Sequence, residues 1–212
     1  MQQYASKLSS SPALSLDQAK EYDYIILMDQ SGSMGEPSTK FQGKTRWAEA
    51  EEFTTAFARF ADQVDSDGIT VINFNSGSTV FDNVNAEKVK EIFSKNRPGG
   101  STNLGGALDK AFEKHFSNSK PTIILCMTDG VPDSEAHVVK SIIGAANKLE
   151  KDAQLAIQFV QIGDNREAAQ FLTRLDDNLQ KEGAKFDIVN ALTREEAESL
   201  TPEQLLYQAI ND

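Results

Sequence analysis

The sequence predicts an α/β fold: a doubly wound, mostly parallel central sheet of about six strands, one of them a short antiparallel edge strand, flanked by helices. Three observations predict it. Short continuous apolar runs, YIILM (24–28) and TIILCM (122–127), together with the mostly apolar LAIQFVQI (155–162), have the composition of strands buried on both faces. Between the strands lie segments whose apolar residues step by three or four, the spacing of a helix with one buried stripe. Strand and helix patterns alternate along the chain, which argues for parallel strands sandwiched by helices.

The elements follow in order. Residues 1–19 are rich in serine, with a proline and little apolar periodicity, and read as a mobile leader; residues 20–212 read as one domain. After YIILM, the stripe Trp47, Ala50, Phe53, Phe57, Phe60 and Val64 marks a helix from Thr45 onward. ITVINF (69–74) is a strand, and STVF (78–81), beyond the turn-forming NSGS, is its short neighbour. AEKVKEIFSK forms a helix, and the next helix carries Leu104, Ala107, Leu108, Ala111, Phe112 and His115 on one face. TIILCM, a helix through HVVKSIIGAANKLEK, the strand LAIQFVQI and a helix over about 166–180 come next. FDIV (186–189) reads as the last strand, and a helix over 202–210 closes the chain. There is no internal repeat and no linker.

Composition narrows the function. At 212 residues, with 39% hydrophobic and 25% charged residues, the chain has the make-up of a soluble globular domain. No apolar stretch approaches the roughly 20 residues that span a bilayer, and the N-terminus lacks the charged head and apolar block of a signal peptide. Membrane insertion is therefore not expected. A lone Cys126 makes no internal disulfide and reads as a small hydrophobe inside a strand, so the expected location is cytoplasmic. The formal charge of -11, with no basic stripe, argues against nucleic acid as a ligand and suits divalent cations or basic partner patches.

Three apolar runs end in aspartate, at Asp29, Asp129 and Asp164. In a parallel sheet their C-terminal ends share one edge, the edge at which open α/β sheets bind ligands. Asp29, Ser31 and Ser33 alternate around Gly32, so a tight loop turns their oxygens toward one point; Asp129 lies between Thr128 and Gly130. All these donors are oxygens, with no His or Cys at ligand spacing, so the implied ion is hard: Mg²⁺, with Mn²⁺ or Ca²⁺ as alternatives. Magnesium tends to keep exchangeable waters, and an incompletely neutralised ion attracts a carboxylate from outside.

Other residues have plainer readings. Asp164 and Asn165 read as a helix N-cap, Asp133 as the start of the helix after Pro132, His115 as a partly buried histidine, His137 as solvated and Trp47 as core. An EF-hand beginning at Asp29 fails, because Lys40 falls where a bidentate acid is needed and glycine falls at the fourth position. GGSTNLGG lacks the lysine of a phosphate loop.

DQSGS (29–33) resembles the D-x-S-x-S signature of the von Willebrand factor type A domain. PGGSTNLGGAL (98–108) and MTDGVPD (127–133) resemble that family's second and third motifs, in the same order, and the strand-helix alternation is similar to its fold from about residue 22 to the end. The resemblance implies an intact metal ion-dependent adhesion site, with Asp29, Ser31 and Ser33 from the first loop, Thr102 from the second and Asp129 from the third. It implies that the hydroxyls coordinate directly or through water, that the aspartates often act through water, and that Gly99 and Gly100 let backbone approach the ion. The tail, QFVQIGDN and FLTRLDDNL, is similar to stand-alone intracellular bacterial and fungal members.

The function so implied is a binding module, monomeric and not an enzyme, in which Mg²⁺ captures an Asp or Glu of a protein partner. Two alternatives stand beside it. One is a Mg²⁺-dependent phosphoryl transferase or phosphatase with Asp29 as nucleophile, in which Ser31 replaces the second acid of a D-x-D motif and removes the proton donor. The other is a scaffold whose metal serves stability alone.

Overall fold

The structure is a computed structural model that describes residues 12–65 and 68–211. Its sheet is built from β1 (Asp23–Asp29), β2 (Ile69–Phe74), β3 (Ser78–Val84), β4 (Thr122–Thr128), β5 (Leu155–Gln161) and β6 (Val189–Thr193), in the spatial order β3-β2-β1-β4-β5-β6. All neighbouring pairs are parallel except β2 with β3, so the predicted antiparallel edge strand is present. The chain moves outward from β1 to β2 and β3, then crosses back to β4 and continues the other way. Strand order thus reverses between β1 and β4, and a crevice at the C-terminal ends of those strands follows from the topology.

In the central strands β1 and β4 the side chains alternate between two buried faces. Tyr24, Ile26 and Met28 of β1 and Ile123, Leu125 and Met127 of β4 join one apolar layer; Ile25, Leu27, Ile124 and Cys126 join the other. The first layer is covered by α1 (Leu16–Ala19), α2 (Arg46–Val64), α3 (Ala86–Lys95) and α8 (Pro202–Ile210), the second by α4 (Leu104–Ser117), α5 (Glu135–Ala146) and α6 (Arg166–Asn178). A short α7 (Arg194–Glu198) follows β6. Side-chain oxygens cap the helix starts: Thr45 accepts from Ala48 N, Asn85 from Lys88 N and Asn103 from Gly106 N. Trp47 is core, its ring centroid 4.4 Å from that of Phe93. His115 is buried and its Nδ1 lies 2.9 Å from Thr122 Oγ1.

Two expectations need correction. Of the expected leader, residues 1–11 lie outside the described residues; within 12–19 the chain is anchored at two points, since Leu14 and Ala19 are buried and Leu14 N–H donates to Glu203 O at 3.1 Å. Ser15 and Gln18 form a capping box on α1, and Tyr24 Oη donates to the Ala19 carbonyl. One buried leucine among serines gives no period to read; α8 supplies the partner surface. The last strand is Val189–Thr193 and not 186–189. Its inward polar residue, Asn190, is paired with Gln158 of β5 at 2.9 Å, and that buried amide pair breaks the apolar pattern.

Candidate metal centre

β1 ends in Asp29, whose side chain is wholly buried beneath the loop that follows. Both its oxygens are engaged. Oδ1 accepts from Ser31 N at 2.8 Å, which bends the chain back over the strand end, and Oδ2 accepts from Thr128 Oγ1 at 2.6 Å across the β1/β4 junction. The loop enters a single turn of 3₁₀ helix at Gly32–Gly35, which sets Ser31 Oγ 3.0 Å from Ser33 Oγ. Ser33 Oγ donates to Asp129 Oδ1 at 2.8 Å, so Asp29, Ser31, Ser33 and Asp129 form one connected network.

Main-chain bonds fix the neighbouring loop against the first. Gly99 N donates to Gln30 O at 2.8 Å and Gly32 N to Gly100 O at 3.1 Å, while Asn103 N donates to Asn75 O at 2.8 Å. Gly100 has φ +87°, and a Cβ there would lie 2.8 Å from Ser76 Oγ, so the turn that aims its carbonyl at the first loop requires glycine. Thr102 lies on this loop, buried, and its backbone is clasped by Asp133. Asp133 N donates to Thr102 O at 2.9 Å, while Asp133 Oδ1 accepts from Thr102 N at 2.9 Å and Oδ2 from Ser101 Oγ at 2.6 Å.

The reading of Asp133 as a helix start is therefore corrected: the N-cap of α5 is Ser134, which accepts from His137 N. Asp133 instead couples the second and third motifs. Asp133→Ala removes the acceptor of Ser101 Oγ and Thr102 N at a partly exposed position and is expected to cost about 0.5–1.5 kcal/mol in urea unfolding. Asn165 caps α6 as expected, accepting from Glu167 N and Ala168 N.

Electrostatics add the remaining feature. Burial pushes the Asp29 carboxyl up to about 6; the hydrogen bonds from Thr128 and Ser31 oppose that rise, and the nearby Asp129 adds to it. Asp129, itself buried, is balanced by Arg46, whose Nη1 donates to Oδ2 at 2.7 Å and also lies 3.3 Å from Glu36 Oε2. Sequence reasoning missed Arg46. The available signal was a cation at the first residue of α2, where the helix dipole disfavours positive charge. Thr128 was noted only as a neighbour of Asp129, and its bond to Asp29 needs the β1/β4 pairing.

A family model described as von Willebrand factor type A domain matches residues 24–131, just over half the chain, covering the first two motifs and the third as far as Val131. The chain belongs to the von Willebrand factor type A domain family. Members of this family often mediate protein–protein interaction, with a divalent metal at the adhesion site.

Solved structures share the fold of this type A domain. A mutant of the PilB minor pilin from Streptococcus sanguinis aligns with TM-score 0.59 at 12% identity, over 90% of this chain and 60% of that one. The von Willebrand factor type A protein from Catenulispora acidiphila aligns with TM-score 0.59 at 18% identity, over 89% and 42%. Proximal thread matrix protein 1 from the mussel byssus, with a zinc-occupied metal ion-dependent adhesion site, aligns with TM-score 0.54 at 18% identity, over 89% and 47%. The type A domain thus spans 60% or less of the length of these three structures. A comparison with curated proteins gives no match.

Among the described residues no three His, Cys, Asp or Glu side chains converge as metal ligands. The centre offers two carboxylates, and its other candidate donors are hydroxyls. That set fits a hard divalent cation that retains water, and it fits poorly a calcium cage built on several carboxylates. The Ser31 and Ser33 hydroxyls, bonded to each other, and Ser33 also to Asp129, keep lone pairs that could serve a cation.

Proposed function

We propose that this type A domain is a divalent-metal-dependent protein-binding module, in which Asp29, Ser31, Ser33, Thr102 and Asp129 hold Mg²⁺ and the ion takes an acidic side chain from a partner. The observation that carries this reading is the connected network of Asp29, Ser31, Ser33 and Asp129 at the sheet edge where strand order reverses, with two buried carboxylates and one neighbouring guanidinium. Bound there, the metal supplies a positive centre with open or water-filled positions for an outside carboxylate. The chain's own work is to hold the donors: Ser31 N and Thr128 orient Asp29, Ser33 orients Asp129, and Asp133 fixes the loop of Thr102.

Mn²⁺ and Ca²⁺ are the alternative ions. The proposal keeps a monomer in the cytoplasm, and the lone cysteine, Cys126, is buried and free, as a reducing compartment allows. No helix among the described residues is long and apolar enough to cross a membrane. The proposal also keeps a non-enzymatic role. Against phosphoryl transfer stands Asp29 itself, buried with both oxygens accepting hydrogen bonds and so poorly placed to attack a phosphate.

The test is capture by the immobilised protein in Mg²⁺ and in EDTA. Wild type is expected to retain a partner in Mg²⁺ and release it in EDTA, and Ser31→Ala/Ser33→Ala and Asp129→Ala to retain none. Equal capture by all three proteins in EDTA overturns the reading.

A further inference from the structure

We infer that Arg46 is a tethered cation that competes with the divalent ion for Asp129, so that metal occupancy of this centre is set by an exchange between the guanidinium and the metal. The inference rests on the metal-binding reading above and concerns the regulation of that same site.

Four observations carry it. First, Arg46 Nη1 donates to Asp129 Oδ2 at 2.7 Å, and Asp129 Oδ1 is taken by Ser33, so the carboxylate has its charge balanced from within the chain. The Asp129 side chain is fully buried and that of Arg46 is 13% exposed, so the pair is shielded from solvent and its electrostatic weight is larger than that of a surface pair. A second cation close to the same carboxylate meets Arg46 as a like charge.

Second, the pair is incompletely made. A guanidinium can grip a carboxylate with two parallel bonds, yet here Nη1 alone reaches Asp129, while Nε is buried with no hydrogen-bond acceptor. An arginine with an unsatisfied buried donor loses less on release than one held by a fork.

Third, an alternative partner stands beside it. Glu36 Oε2 is 3.3 Å from the same Nη1, and its side chain is 61% exposed, so Arg46 has a solvent-side acid toward which to turn. Arg46 N also donates to Glu36 O at 3.0 Å, which keeps that acid in reach.

Fourth, the backbone around it is shaped to the arginine. Gly163, between β5 and α6, has φ +74°, and a Cβ there would lie 2.9 Å from Arg46 Nε. The side chain therefore passes close over the β5–α6 turn, and the pair joins the start of α2, the end of β4 and that turn.

The experiment is calorimetric titration of Mn²⁺ into metal-stripped wild type, Arg46→Met and Arg46→Lys. Methionine keeps the apolar stem and removes the charge; lysine keeps the charge. Exchange predicts that Arg46→Met binds about tenfold or more tightly than wild type, and that Arg46→Lys stays within about threefold of it. A metal-induced rise in melting temperature larger for Arg46→Met than for wild type is the second readout. Should the methionine variant not fold, Arg46→Gln takes its place with the same expectation.

Unchanged or weaker binding in the charge-free variant, with wild type binding one ion, overturns the exchange and leaves the metal site standing. A lysine variant that binds as tightly as the methionine variant also overturns it, because shape and not charge would then be responsible. No binding by any variant overturns the metal-binding reading and the exchange together. Binding by Arg46→Met alone supports both.

Discussion

Asp29→Asn is expected to abolish divalent-ion binding, weakening it at least about 100-fold, while leaving the metal-free protein as stable as wild type or more so. The substitution keeps the shape of the side chain. Its Oδ1 still accepts from Ser31 N, and its amide nitrogen still faces Thr128 Oγ1, which can accept as well as donate. What it removes is a buried negative charge. The cost of that charge follows from its titration: burial raises the folded-state value from 3.8 to about 6.

An acid raised on folding destabilises the protein at pH above its folded value. The penalty disappears as pH falls, because protonation is then favoured in the folded state. Without metal, Asp29 is thus expected to cost on the order of 3 kcal/mol near neutral pH and little near pH 4. In urea unfolding with EDTA, Asp29→Asn should exceed wild type at pH 7.5, and the gap should narrow as pH is lowered through 6. A variant that binds Mn²⁺ like wild type removes Asp29 from the metal site. A variant much less stable at pH 7.5 would mean that the carboxylate serves the fold.

Leu27→Ala should do the reverse. Leu27 lies two residues before Asp29, is fully buried, and sits in register with Ile72 on one side and Cys126 on the other. Truncation leaves a cavity in the layer under α4, with an expected loss of about 2–5 kcal/mol and a melting temperature lower by roughly 5–20 °C. Stabilities of whole domains are about 5–15 kcal/mol, so the variant should still fold at low temperature. There it should bind Mn²⁺ within about threefold of wild type, because the bonds that hold the loops run through Gly32, Gly99 and Gly100 and not through Leu27. The two variants together separate a residue kept for chemistry from one kept for packing, although both belong to one strand.

The central architecture was legible because its strands are buried on both faces and therefore written as unbroken apolar runs. β1 and β4 gave themselves away in this manner, and α2 through a stripe of six residues. β5 was legible despite its buried Gln158, because five of its seven residues are apolar, whereas β6 (VNALT) is shorter and ends in exposed Thr193, and the Gln158–Asn190 pair between the two strands is invisible along either one. Leu14 and α1 were missed for a similar reason, since the surface that buries them lies at the far end of the chain.

The site was legible to the extent that it is local. Asp29, Ser31 and Ser33 fall in one loop, and Asp129 follows from the parallel arrangement. Arg46 and Asp133 act across elements: one reaches Asp129 from α2, the other holds Thr102 from beyond β4. Both are ordinary charged residues when read in sequence. Their roles come only from the assembled edge.

That edge has a consequence for how the protein is made. Asp29 and Asp129 come from adjacent central strands, yet 100 positions separate them in the chain, as 129 minus 29 shows. At synthesis rates of about 5–20 residues per second, the first carboxylate leaves the ribosome roughly 5–20 s before the second. No nascent fragment short of β4 owns both. Under the proposed function, a growing chain cannot complete the metal centre until the β1/β4 pair closes, so an ion bound there would mark synthesis past the middle of the sheet.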